Sequence, residues 1–115
     1  MTDPDPDTLK AHFLPLMQSE LARLQAATEE TAADRKPVEL DQQSVGRLSR
    51  MDAMQQQAMA SAQEARRKGR IRALQAAMAR LDTDEFGWCN DCGDFIGLKR
   101  LELDPTVMRC RDCAG

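Results

Sequence analysis

The sequence predicts a mainly α protein: an antiparallel two-helix coiled-coil hairpin followed by a small C-terminal knuckle built on four cysteines. Three observations carry this reading. Residues 9 to 82 are dominated by alanine, glutamine, methionine, leucine, arginine and glutamate, a helix-forming set. Their apolar members recur at three- and four-residue steps, the mark of amphipathic helices. All four cysteines fall in the last 27 residues, as two C-x-x-C pairs. With 115 residues, three phenylalanines, one tryptophan and no tyrosine, the chain has little material for a large globular core. A helical arm carrying a knuckle fits that length and composition.

Residues 1–7, Met1-Thr2-Asp3-Pro4-Asp5-Pro6-Asp7, read as a disordered acidic tail without the basic start and apolar run of a signal peptide. Thr8 can cap a first helix whose apolar positions are Leu9, Phe13, Leu16, Met17, Leu21, Leu24 and Thr28. Pro15 costs about 3 kcal/mol in a helix interior, so the regular helix either starts near Leu14 or kinks there. The stretch Ala33 to Asp41 breaks the pattern, because Pro37 pushes Lys36 out of helical geometry. A turn is therefore expected at about residues 34–41, with Asp41 as N-cap of the second helix.

That second helix should run from about Gln42 to Leu81, with a stripe of Val45, Leu48, Met51, Gln55, Met59, Ala62, Ala65, Ile71, Leu74, Met78 and Leu81. At 1.5 Å per residue it makes a rod of roughly 60 Å. Gly46 and Gly69 weaken it by about 1 kcal/mol each without stopping it. Two amphipathic helices with a short connection close into a hairpin over residues 8–81. Pairing outward from the expected turn leaves the helix beyond Arg66 in need of a partner. The N-terminal segment, the knuckle or a second copy of the chain could each cover Ile71, Leu74 and Met78.

Residues 82–115 form the knuckle. Cys89-Asn90-Asp91-Cys92 and Cys110-Arg111-Asp112-Cys113 are separated by seventeen residues. Each pair lets two thiolates of one tight turn reach one cation at about 2.3 Å, and the second pair closes a tetrahedron. One structural zinc ion fits best: four thiolates complete its shell and leave no open position for catalysis. An iron–sulfur cluster also takes four cysteines, and spacing alone leaves it standing as an alternative. Two disulfides would suit a secreted domain, and a thiol redox switch is a lesser reading. Gly87 and Gly93 supply the backbone freedom a thiolate turn needs. Phe86, Trp88, Phe95 and Ile96 should wrap the site and seat it on the helix end. His12, the single histidine, is expected at the surface or in packing rather than as a ligand.

Composition also bounds the function. A net charge of −3 argues against a general nucleic-acid binder that works by phosphate neutralisation. No apolar run approaches the ~20 residues of a membrane span, and a cytoplasmic protein is expected. Neither a nucleophile–base pair nor an open metal position can be named, so an enzyme is not expected. Arg66, Arg67, Lys68, Arg70 and Arg72 read as a solvated helix face paired with Glu64 and its neighbours, with a grip on an acidic protein surface as the alternative.

Several of these residues together carry a resemblance. Phe86-Gly87-Trp88-Cys89, Cys92-Gly93, Ile96-Gly97-Leu98-Lys99-Arg100-Leu101-Glu102, Pro105-Thr106 and Cys110-x-x-Cys113 resemble the DksA/TraR family of zinc-finger transcription factors nearly position by position over residues 82–113. Ala11-His12-Phe13 resembles that family's start of the first coiled-coil helix, and Lys36-Pro37-Val38-Glu39 its turn. The resemblance implies a bacterial transcription regulator that binds RNA polymerase without specific DNA binding. Its coiled coil would enter the secondary channel, and acidic residues at the tip would approach the active centre.

With the turn at 34–41, the acids at the tip are Glu39 and Asp41, with Asp34 on the approach. Counting back from the zinc site as in longer family members puts the tip near Ser49 to Met54, which makes Asp52 the acid. Well-characterised members also bind guanosine tetraphosphate through basic residues on the second helix and just before the knuckle's proline. Those positions here are Ala73 and Asp104, so weak or no dependence on that alarmone is expected. A zinc-ribbon nucleic-acid binder and an oligomeric scaffold, such as a homodimer, remain the competing readings.

Overall fold

The computed structural model describes residues 4–36 and 47–114. Helix α1 spans Pro6–Glu30. Asp5, in extended geometry, accepts a hydrogen bond from the Thr8 backbone N–H at 2.7 Å, with Pro6 at the first helical position and Asp7 in the first turn. The helix therefore starts earlier than the expected Thr8 or Leu14 and takes Pro6 and Asp7 out of the expected tail. A proline at the first position has its φ set for the helix and loses no hydrogen bond there. Pro15 lies inside α1 and does not end it. Its ring is on the exposed side, as is Ala11, whose carbonyl the proline leaves without an amide partner.

Thr31 closes α1, its hydroxyl donating to the Ala27 carbonyl at 2.8 Å. A 3-10 turn follows at Ala32–Arg35, and Lys36 is extended ahead of Pro37. Helix α2 spans Arg47–Asp82. It ends where the Glu85 and Phe86 amides both donate to the Arg80 carbonyl, at 3.1 and 3.2 Å, with Asp84 in left-handed geometry at φ 61°. Aspartate is one of the few non-glycine residues that tolerate this position.

The two helices pair antiparallel and stay in step along the shaft. Lys10 meets Asp82, Glu20 meets Arg70, Thr28 meets Glu64, and the Lys36 carbonyl accepts from Gln57 Nε2 at 2.8 Å. This corrects the expected turn at 34–41. Asp34 and Arg35 belong to the shaft, and the chain reverses between Lys36 and Gln57. Regular helix ends at Glu30, and the 3-10 turn carries the chain onward beside α2 instead of back. Glu39 and Asp41, the expected helix start at Gln42 and the stripe residue Val45 lie outside the described residues, as does the Leu48 side chain.

The seam of α2 is also shifted from the expected stripe. Ala53, Gln57, Ala60, Glu64, Arg67, Ile71, Leu74, Met78 and Leu81 alternate four- and three-residue steps and are buried or half-buried. Met51 and Met59 of the expected stripe, each 58% exposed, face away, as do Gln55, Ala62 and Ala65. The lower part of the stripe holds as expected.

The apolar core sits at the base of the hairpin. Leu9, Phe13 and Met17 of α1 pack with Leu74, Ala77 and Leu81 of α2, and with Phe86 and Leu101 of the C-terminal module. The Phe13 and Phe86 rings lie 5.2 Å apart. Leu74, with no exposed surface, and the half-buried Ile71 and Met78 are thus covered by α1 and the knuckle within one chain. The molecule measures 71 × 28 × 19 Å. No described helix is long and apolar enough to cross a membrane.

Candidate metal centre and the shaft it anchors

The C-terminal module is folded by short-range geometry around its sulfurs. Trp88 and Phe95 form an isolated antiparallel bridge, and the Ile96 amide donates to the Gly87 carbonyl at 2.7 Å. Between them, Cys89 N–H donates to Asp94 O at 2.8 Å and Gly93 N–H to Cys89 O at 2.9 Å, closing the first C-x-x-C turn. Gly93 stands at φ 78°, a conformation glycine reaches without cost. The Asn90 amide donates to Met108 O at 2.8 Å, tying the first turn to the approach of the second. Helix α3, Leu98–Leu103, drives Leu101 into the hairpin core. Helix α4, Arg111–Ala114, starts just after Cys110 and brings Cys113 back to face it.

The result gathers Cys89, Cys92, Cys110 and Cys113, all four sulfurs within 4.8 Å of one another. Cys92 Sγ and Cys110 Sγ are 3.6 Å apart, far beyond a disulfide bond of about 2.05 Å. Four sulfurs at about 2.3 Å from a zinc ion lie about 3.8 Å apart, so the donor set fits a tetrahedral zinc shell. The protonation chemistry points the same way. Backbone amides of Cys110 and Cys92 hold the Cys89 thiol down to about 6. Hydrogen bonding among the crowded sulfurs of Cys110, Cys89 and Cys92 pushes the Cys113 thiol up. Cys92 is pushed up by Cys89 and Cys110 although the Asp94 amide pulls it down. Sulfurs that raise one another's proton affinity in this way are relieved when a divalent cation takes the place of the shared protons. Cys89 is buried, Cys110 and Cys113 half-buried, and Cys92 exposed at the rim.

The expected aromatic packing is present in detail. Trp88 meets Phe95 edge-on at 5.4 Å, and Phe86 belongs to the hairpin core. His12 is exposed, 3.6 Å from Glu102 and edge-on to Phe13, away from the sulfurs. Asp34 and Asp52 are exposed on the shaft.

Two polar clusters on the shaft were not anticipated in detail. Arg70 Nε and Nη2 grip both carboxylate oxygens of Glu20 at 2.8 and 3.2 Å. Its Nη1 donates to Asp104 Oδ1 at 2.8 Å and to Thr106 Oγ1 at 3.0 Å. One guanidinium thus joins α1, α2 and the cysteine module, a use that suits its planar fork. Burial works against the charged form of Asp104, but hydrogen bonds from Thr106 and Arg70 overcome it and hold the carboxyl below its usual range. Closer to the hairpin end, Glu64 is buried at 4% exposure between Thr28, Arg35 and Arg67. The basic run is therefore split. Arg67 and Arg70 turn inward, while Arg66, Lys68 and Arg72 stay exposed. The inward placement of Glu64 and Arg67 follows the heptad phase set by Leu74 and Leu81.

Comparison with known proteins agrees with this geometry. The prokaryotic dksA/traR C4-type zinc-finger family matches residues 84–115. Curated relatives include the RNA polymerase-binding transcription factor DksA of Haemophilus influenzae, 46% identical over 43 residues, which are 37% of this chain and 30% of that protein. The protein of the same description from Escherichia coli is 37% identical over 43 residues, 37% of this chain and 28% of its own length. The matched stretch thus spans less than a third of these relatives. Among solved structures, transcription factor DksA2 from Pseudomonas aeruginosa superposes with a TM-score of 0.70 at 24% identity, covering 95% of this chain and 79% of that one. The fold of nearly the whole chain is thus shared, and the four cysteines are those of a structural zinc finger.

Proposed function

We propose that this chain, a DksA-like member of the DksA/TraR zinc-finger family, regulates transcription by binding RNA polymerase and presenting the end of its hairpin to the enzyme's secondary channel. The observation that carries this reading is the shape of the molecule. A 71 Å rod, 28 by 19 Å in cross-section, is anchored at one end by a zinc finger whose four thiolates leave no position open for chemistry. Such a body suits insertion into a protein cleft. The finger and the apolar core brace the base, and the shaft delivers the residues near the reversal.

Asp52 sits on α2, five positions beyond Gln57 toward the reversal, where the last described tie between the helices is made. Of the described residues it is the acid best placed to work at the tip; Glu39 and Asp41, outside the described residues, stay in the proposal as the alternative. Asp34, expected on the approach to the tip, lies in the 3-10 turn beside the shaft. Regulation is further proposed to depend weakly or not at all on guanosine tetraphosphate. Asp104 offers a carboxylate already held by Arg70 and Thr106, and Ala73 offers no charge, so neither attracts a polyphosphate.

In vitro transcription with purified polymerase tests the reading, using wild type, Asp41→Asn and Asp52→Asn. At least one variant should bind polymerase like wild type and lose most of the promoter effect. If both regulate as wild type does, the assignment of the tip fails. Strong enhancement by the alarmone would defeat the claim of weak or no dependence.

A further inference from the structure

We infer that Glu64 is a positioning residue that sets the register of the hairpin and so fixes where the reversal stands relative to the zinc finger. Its carboxylate is 4% exposed, with both oxygens engaged. Oε1 accepts from Thr28 Oγ1 at 2.8 Å, and Oε2 faces Arg67 and the Arg35 guanidinium, the latter at 3.1 Å. Arg35 is itself fixed, donating to Thr31 Oγ1 at 2.7 Å and to the Thr28 carbonyl at 3.0 Å. Two of the three partners thus come from α1 and its 3-10 continuation, so the cluster reads the alignment of one helix against the other.

Among the described residues of that half of the shaft, no other side chain does so with comparable selectivity. Toward the reversal, α2 offers Ala53, Gln57 and Ala60 to the seam. Alanine layers pack almost equally well when one helix slides past the other by a turn. The Gln57–Lys36 bond lies in an exposed position, where water competes for both groups. The interlocking side chains that resist sliding, Leu74, Phe13 and Met17, all lie at the base. The base locks α1 against α2, so a displacement is open to the chain beyond Glu30; a shift of one turn there, about 5.4 Å, would move the reversal and strip Glu64 of Arg35. A single buried polar group that specifies register is an established use of such residues in coiled coils.

The test uses the full zinc-loaded chain, with cross-helix NMR contacts of residues 53–60 as readout and Glu64→Leu and Glu64→Gln as variants. Glu64→Leu should keep the helical signal with a lowered melting temperature, since Arg35 and Arg67 lose their counter-ion. Its single set of cross-helix contacts should split into two or more, or broaden through exchange. A folded Glu64→Leu protein with the single wild-type set overturns the inference. Should that variant fail to fold, Glu64→Gln decides. It keeps the shape of the residue and its capacity to accept from Thr28, and multiple registers in it support the inference. A single register, or unfolding in both variants, overturns it, since Glu64 would then supply stability rather than alignment. The positional consequence rests on the proposed polymerase role, but the readout does not. A variant with wild-type register and no transcriptional effect would count against the functional reading alone.

Discussion

Gly87 stands at φ 92°, and a Cβ built there would lie 3.2 Å from Phe95 Cε2 and 3.5 Å from Leu9 Cδ1. It occupies the joint between the hairpin core and the first cysteine turn, where backbone must pass close to an aromatic edge. Gly87→Ala should therefore destabilise the zinc-loaded protein by more than about 1 kcal/mol, measured by urea unfolding. Asp104 supplies a second test at this scale. A carboxyl whose folded pKa lies below its unfolded value of 3.8 contributes stability above that value and loses it as pH falls through the folded one. Its side chain is 42% exposed and water screens the Arg70 pair, so the contribution is at most about 1 kcal/mol. Acid also releases zinc by protonating the thiolates, so the informative quantity is a difference. Wild type should be more stable than Asp104→Asn at about pH 7, and the gap should narrow as pH falls below 3.8. A gap that persists in acid would mean that Asp104 acts through shape rather than charge.

At the level of the helices, the heptad phase decides which side chains matter. Leu74 is fully buried among Met17, Phe13 and Leu101, so Leu74→Ala should cost about 2–5 kcal/mol. Met59 is 58% exposed on the far side of α2, and Met59→Ala should stay within about 0.5 kcal/mol. Comparable losses from the two substitutions would refute the seam described here. The sequence made the base of the hairpin legible because Leu9, Phe13, Met17, Leu74 and Leu81 repeat with strong apolar contrast. The four zinc ligands were legible because their spacing admits few other chemistries. Between residues 51 and 65 that contrast fails. Methionine, alanine and glutamine discriminate poorly between a seam and a surface, and the buried Glu64 reads as a surface acid until its partners from α1 are in view. The turn misled for a related reason. Regular helix ends at Glu30, but nothing local in the sequence states that the 3-10 turn after it continues along α2 instead of reversing. The helix start departs from the sequence expectation of an acidic tail because an acid followed by proline, Asp5-Pro6, is a strong helix opening.

As a whole body, the protein divides its work between ends. The base collects the apolar core, the three-way Arg70 clamp and the zinc finger, which hold one another in place. The shaft toward the reversal has little apolar burial and relies on helix propensity and the Glu64 layer to stay straight. This division suits the proposed role, which needs rigidity at the anchor and a polar shaft where it would enter a solvated cleft. It also makes the metal structural in a far-reaching sense, because loss of the finger would free Leu101 and Asp104 from the hairpin base. The measurement that tests the account most directly is a binding competition on RNA polymerase, between the labelled zinc-loaded chain and a factor known to occupy the secondary channel. The account predicts mutually exclusive binding, with the labelled chain fully displaced as the competitor saturates. Simultaneous binding of both proteins to one polymerase, or no binding of the zinc-loaded chain at all, would contradict it.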